Sequence, residues 1–356
     1  MEEVLQKNEI YCILGFILKS FYALFGSDPE GRDRPQAGGS CPMRRYILKR
    51  IALMLLLLLG MSFIVFASLY IAPGDPATMV AGPSATDEDI AVVRASLGLD
   101  KPFLVQYFMY LKRLLTLDLG NSYTSRQPIL DEIVVRLPNT LNLACAAMIL
   151  AVAIGIPCGI LTAMKKDTIV DNAVTTTSLI ALSIPNFLLG TILMYIFAVK
   201  LNLLPVGGMT HYFWTPTGFQ EAILPAFALA TGTIASFIRL GRSAMLDVLQ
   251  SDYIRTAKSK GLKGTTIIVG HALRNALIPL VTQFGTSFGG LLGGAIITEQ
   301  VFVINGIGTY LINAIRNYNY PVVQSTVLVI ATMFILINLA VDLLYCVIDP
   351  RIKYEG

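Results

Sequence analysis

The chain has 356 residues, 54% hydrophobic and 14% charged, with a formal net charge of +4. A soluble globular domain carries roughly 25% charged residues, so this composition, with a mean hydropathy of +0.65, excludes an ordinary soluble enzyme and points to an integral membrane protein. Lys and Arg lie scattered between apolar runs, which excludes a nucleic-acid binder, and two histidines with no CxxC among five cysteines leave neither a metal-ligand cluster nor a bound cofactor to expect.

Residues 1–42 differ in kind from the rest. The run 10–25 is apolar but interrupted by Lys19 and too short to span, and a linker composition, GSDPEGRDRPQAGGSCP, follows it. This extension is either an interfacial amphipathic helix or a stretch upstream of a start at Met43. Gly26 to Gly31 has Walker A glycine spacing but continues Arg32-Asp33, without the Lys and Ser/Thr that bind phosphate and Mg²⁺, so ATP hydrolysis is not expected of this chain.

A span needs about 20 apolar residues to cross a core of about 30 Å. Six stretches qualify: 51–72, 139–164, 173–199, 223–238, 276–304 and 322–348. Basic residues concentrate at 44–50, 165–166, 239–274 and 351–353, which places both termini on the cytoplasmic side. The long segment 73–137 holds Asp87-Glu88-Asp89, a turn-like Gly98-Leu99-Asp100-Lys101-Pro102 and an amphipathic run 103–117, and reads as a small ordered cap on the outer face.

Within the third span, Pro185 removes a backbone hydrogen bond and should kink the helix. Ser183, Pro185 and Asn186 are thus a structural kink or part of a translocation path. Gly285, Gly289 and Gly293 recur every fourth residue in the fifth span, a spacing that lets helices approach closely, within the chain or against another. Gly155 and Gly159 read as internal packing. Glu299 and Asp342 are the ionisable exceptions in the spans, and both lie near span ends. An ion-coupled carrier keeps such groups near the midplane, so energy is expected from another subunit; a self-sufficient secondary transporter is the alternative from a different class.

The basic insert 251–275 between the fourth and fifth spans is longer than a turn requires. Ser251 can N-cap a helix, Asp252 sits in its first turn, and Gly261 can end it in the left-handed conformation. Ile254 and Ala257 fall on one stripe, while Arg255, Lys258, Lys260 and Lys263 keep the other side in water. Such a helix of about 10 residues is marginal alone, so something should pack against it.

The string Asp252-Tyr253-Ile254-Arg255-Thr256-Ala257 followed by Gly261 resembles the EAA loop of binding-protein-dependent ABC importer permeases, although of the Glu-Ala-Ala triad only the last Ala matches, and Leu273-Arg274 stands where the family often has Leu-Pro. Ending in His271-Ala272-Leu273-Arg274-Asn275-Ala276, it is similar to the dipeptide/oligopeptide/nickel branch. Further resemblances run in order along residues 43–353: Gly74-Asp75-Pro76, Leu119-Gly120-Asn121-Ser122, Leu137-Pro138-Asn139-Thr140-Leu141, Ser183 to Phe187, Glu299-Gln300-Val301-Phe302, Gly306-Ile307-Gly308, Tyr320-Pro321-Val322 and Asp349-Pro350-Arg351. Asn319 stands where the branch commonly has Asp.

The resemblance implies an all-α, type-1 ABC importer permease fold in a bacterial cytoplasmic membrane, surrounded by lipid. It implies a first helix with its cap at 43–137 and a five-helix core at 138–356 containing a coupling loop, 247–275. The implied partners are a second homologous permease, two ATP-binding subunits and an extracytoplasmic solute-binding protein. Ile254, Ala257 and Gly261 would contact the ATPase, with Asp252 and Arg255 orienting the helix and His271 orienting the loop. The cargo would be di- or oligopeptides, or alternatively nickel or a metal chelate.

Overall fold

The computed structural model describes residues 43–71, 75–82 and 85–348. The readings placed on 1–42, on Asp349-Pro350-Arg351 and on the Asp342 side chain lie outside the described residues. Every extended element among the described residues is helical, and by contacts the chain divides into two compact units, one ending at Asp118 and the other running from Leu119 to Asp349.

The first unit contains α1 (Met43–Ile71), α2 (Pro76–Ala81), α3 (Asp87–Ser96) and α4 (Phe103–Leu115). The segment expected to form a cap contains three short helices, the first two with side-chain caps. Asp75 accepts the Ala77 N–H at the head of α2, and Pro76 fits the first helical position. Thr86 and Asp89 form a reciprocal capping box on α3. The Thr86 hydroxyl and backbone N–H both donate to Asp89 and hold its carboxyl below the usual range. The inner stripe of α4 packs on α1: Phe66 tilts against Phe103 and stacks on Tyr110, Phe63 meets Tyr107 edge-on at 5.3 Å, and the Tyr107 hydroxyl lies 2.9 Å from Ser62 Oγ.

The second unit contains α5 (Ile129–Met164), α6 (Ile169–Ser183) and α7 (Asn186–Leu193), which a π-helical stretch (Met194–Lys200) continues. Then come α8 (Pro216–Leu249), α9 (Asp252–Ser259), a single turn (Gly264–Thr266), a second π-helical stretch (Ile267–Ala272), α10 (Leu273–Val301), α11 (Ile307–Arg316) and α12 (Tyr320–Ile348). Among the described residues four helices are long and apolar enough to cross a membrane: Ile129–Met164, Pro216–Leu249, Gly270–Val301 and Tyr320–Val341. The pair α6–α7 with its π extension reaches that length only when its halves are taken together, and Ile51–Ala67 in α1 is a shorter apolar stretch.

The segment 173–199, read as one span interrupted at residues 183–186, is broken at that place into two helices bent by 102°. Ile184 lies in the β region (φ −88°, ψ 124°), as a residue preceding proline prefers, and Pro185 precedes α7, which starts as a new helix at Asn186. A proline deep inside a continuous helix only bends it; here the extended residue before it resets the chain direction.

The core forms where α5 meets α8, the most buried of the long helices. Gly155 and Gly159 lie on that seam as expected. A β-carbon on Gly159 would sit 2.8 Å from the Ile238 carbonyl oxygen and one on Gly155 2.6 Å from Phe237 Cβ, so only bare backbone lets the two helices approach this closely. A β-carbon on Gly285 or Gly289 would meet the Val341 or Phe334 side chain of α12, whereas one on Gly293 would have no atom of the described residues within 4 Å. The third packing position is Gly294, where a β-carbon would sit 3.0 Å from Leu229 Cδ1 of α8. Gly294 lies nine residues, about two and a half turns, beyond Gly285, so it sits on the opposite side of α10 and meets α8 where Gly285 meets α12.

Candidate functional site

At one end of the second unit, α9 packs on the π-helical stretch Ile267–Ala272 and shares an apolar cluster with residues near the ends of α5, α8 and α10. Its sequence explains its form: Asp252 enters the first turn, Lys258 the last, and Gly261 ends the segment at φ +74°, where a side chain would be strained. The helix has eight residues. Ser251 occupies the cap position with extended backbone, but its hydroxyl donates back to the Val248 carbonyl at 2.6 Å instead of receiving an N–H of α9. The serine therefore holds α9 to the end of α8 and does not cap the helix by its side chain.

The two faces of α9 differ sharply. Ile254 is completely buried and Ala257 is 8% exposed. Both share a cluster with Ala163 of α5, Met245 of α8, Ile267 and Ala272 of the π-helical stretch and Ala276 of α10. In this arrangement the Ile254–Ala257 stripe is spent inside the chain, and burial of Ile254 alone is worth about 1.5–3 kcal/mol. The exposed residues of α9 are Asp252, Tyr253, Arg255, Thr256, Lys258 and Ser259, with exposed Gly261 beyond the helix end. Asp252 and Arg255 lie 3.9 Å apart, but both are so exposed that their attraction contributes little.

Sequence reasoning missed a second tie. The Asn275 carboxamide donates to the Tyr253 hydroxyl at 2.7 Å and links α9 to the first turns of α10. Its two residues belong to the quoted basic string, but nothing in the spacing announces that they meet. His271 is exposed on the π-helical stretch, and its ring makes no hydrogen bond among the described residues.

Beside α9, α6 and α8 are clamped by Arg242, whose Nε and Nη2 bond the two oxygens of Asp171 at 2.8 and 2.7 Å. Asp171 is also held by the Asp167 N–H. Such a bidentate fork fixes orientation as well as distance. Beyond it, α6 and α8 border a cleft of about 400 Å³ lined by Thr175, Ser178, Arg239, Arg242, Ser243, Asp247, Gln250 and apolar neighbours. Ser183 and Pro185 are exposed and Asn186 half-buried at the nearby break, where the Ser183 hydroxyl returns to the Leu179 carbonyl.

Three of the quoted motifs converge at the opposite end of α5. Glu299 is completely buried. It accepts the Thr140 hydroxyl at 2.5 Å and the Thr309 N–H at 2.9 Å, and Thr140 in turn accepts the Ile307 N–H. A carboxyl thus satisfies the open N–H groups at the start of α11, the place where a helix binds an anion. Gly306 and Gly308 are required there because a β-carbon on either would strike the Glu299 carboxyl. Asn319 accepts the Tyr123 N–H and donates to the hydroxyls of Ser122 at 2.8 Å and Thr124 at 3.1 Å. Its amide N–H groups use those hydroxyls as acceptors; an aspartate would have to turn them into donors.

The sequence profile of the binding-protein-dependent transport system inner membrane component matches residues 155–354, and that of its N-terminal part matches residues 43–144. The dipeptide transport system permease protein DppB of Escherichia coli (strain K12) is 42% identical over 338 residues, covering 88% of this chain and 100% of that protein. The glutathione transport system permease protein GsiC of Salmonella choleraesuis is 41% identical over 313 residues, with the same coverages. An inward-facing structure of the MetNI methionine ABC transporter aligns with a TM-score of 0.53 at 20% identity, over 63% of this chain and 99% of that one, which establishes likeness of fold. Matched over nearly all of residues 43–354, this multi-pass membrane chain belongs to the family of binding-protein-dependent transport system inner membrane components.

Proposed function

We propose that this chain is a permease subunit of an ATP-driven importer of di- and oligopeptides, sited in the bacterial cytoplasmic membrane with both termini inside. Residues 43–137 form the first span and an outer cap, and 138–356 the remaining five spans, with the broken α6–α7 pair as one of them. The observation that carries the reading is α9: a short helix anchored by its apolar stripe across the ends of three spans, with a polar face turned outward. A loop that merely reverses the chain needs no such anchor. α9 is the coupling helix, and Asp252, Tyr253, Arg255 and Thr256 meet the ATPase while Ile254 and Ala257 pass its motion to α5, α8 and α10. Gly261 frees the chain to turn back. The partners are a homologous permease, two ATP-binding subunits and an extracytoplasmic binding protein. Peptides enter as cargo because curated relatives carry dipeptides and glutathione, itself a tripeptide.

The mechanism is mechanical. ATP binding draws the two ATPases together, α9 moves with its subunit, and the spans exchange two discrete packings that open the path to alternate sides. Uptake of radiolabelled trialanine by proteoliposomes holding the whole complex tests this. Uptake is expected to require ATP and the binding protein; uptake that survives removal of the ATPases would instead indicate a self-sufficient carrier.

A further inference from the structure

The cleft between α6 and α8 carries two exposed charges that have no partner among the described residues. Arg242 is neutralised by Asp171, whereas Arg239 and Asp247, also in the lining, have no ion-pair or hydrogen-bond partner among the described residues. They lie eight residues apart on α8, about 12 Å along the axis. Between them the wall is Ser243 and Leu246 of α8, with Thr175 and Ser178 of α6 opposite. The volume, about 400 Å³, falls in the range of small-ligand sites, roughly 300–1,000 Å³. A free cation at one end and a free carboxylate at the other suit a molecule carrying the opposite charges at its two ends. An extended tripeptide spans about 10 Å, which the two flexible side chains can bracket.

We propose that this cleft is a binding site for short zwitterionic peptides, in which Arg239 receives the C-terminal carboxylate and Asp247 the N-terminal ammonium, with the hydroxyls of the lining facing the peptide backbone. The inference rests on the peptide-import reading and adds a site to it. The ends of a peptide are its common feature across side chains, so a site that reads only the ends accepts many sequences of similar length. The clamp formed by Asp171 and Arg242 holds the two walls at a fixed spacing and withdraws from the cleft a cation that would otherwise compete for the carboxylate.

The test uses the complex of this chain with its partner permease and ATPases in nanodiscs, without the binding protein. Binding of trialanine is compared with that of trialanine amide and N-acetyl-trialanine. Trialanine is expected to bind saturably, about tenfold more weakly to Arg239→Gln and to Asp247→Asn. The Arg239→Gln loss should vanish when the ligand is the amide, and the Asp247→Asn loss when it is the acetylated peptide. Equal losses for free and blocked peptides in either variant, or no saturable binding in the unaltered complex, would overturn the site. Failure of the unaltered complex with its binding protein to take up any peptide would instead overturn the import reading, so the two failures are distinguishable.

Discussion

Glu299 shows how much one side chain can organise. It closes the start of α11 by accepting from Thr140 and Thr309, residues that come from different elements. Glu299→Ala should leave buried donors without partners, at roughly 1–3 kcal/mol each. A lower thermal midpoint of the detergent-purified complex is the expected readout, with Glu299→Gln intermediate because its amide presents N–H groups to other N–H groups. The glycines of α10 give a sharper contrast. Gly289→Ala forces Phe334 aside and should destabilise the complex by about 1–3 kcal/mol; Gly293→Ala, with open space around it, should change stability by less than about 0.5 kcal/mol. An equal effect of the two would contradict the described seam. The glycine spacing was legible in the sequence as a packing signal, but which glycine touches a neighbour depends on where α12 and α8 lie.

At the scale of the element, the behaviour of α9 follows from its two faces. Ala257→Glu places a charge among Ala163, Met245 and Ala276, and such a charge cannot remain buried without a partner. The helix should lift from the chain, with loss of uptake and of ATPase copurification while membrane insertion continues; normal amounts of copurified ATPase with normal uptake would contradict this. Tyr253→Phe removes the hydrogen bond from Asn275 and leaves the apolar anchor intact. It should cost about 0.5–1.5 kcal/mol locally and raise the ATP hydrolysed per peptide transported, measurable in proteoliposomes, without loss of assembly. The start, the stop at Gly261 and the amphipathic stripe of α9 could be read from residue order because they are local. That the stripe faces inward could not, because an apolar stripe has the same spacing whether its partner is the same chain or another. The α6–α7 break divides in the same way: Pro185 announced an interruption, while the 102° turn needed Ile184 extended and both halves held against neighbours.

In the whole molecule, the seam between α5 and α8 carries the second unit. Gly159→Leu must push the Ile238 carbonyl and the Arg242 backbone away, so the prediction is loss of folded protein, read as protease sensitivity and low recovery from membranes, with Gly60→Leu, which meets no neighbour among the described residues, as the tolerated control. The sequence alone determined that the chain is helical and membrane-embedded, where its apolar runs fall, and that a basic helix interrupts them, since hydropathy, caps and glycine stops act over a few residues. Only the tertiary structure decided that Thr140, Glu299 and the start of α11 form one buried network, that Arg242 is consumed by Asp171 while Arg239 and Asp247 are not, and that the stripe of α9 belongs to its own chain. Such pairings join residues far apart in the chain, and no local pattern encodes which distant partner a buried polar group or an apolar face will meet.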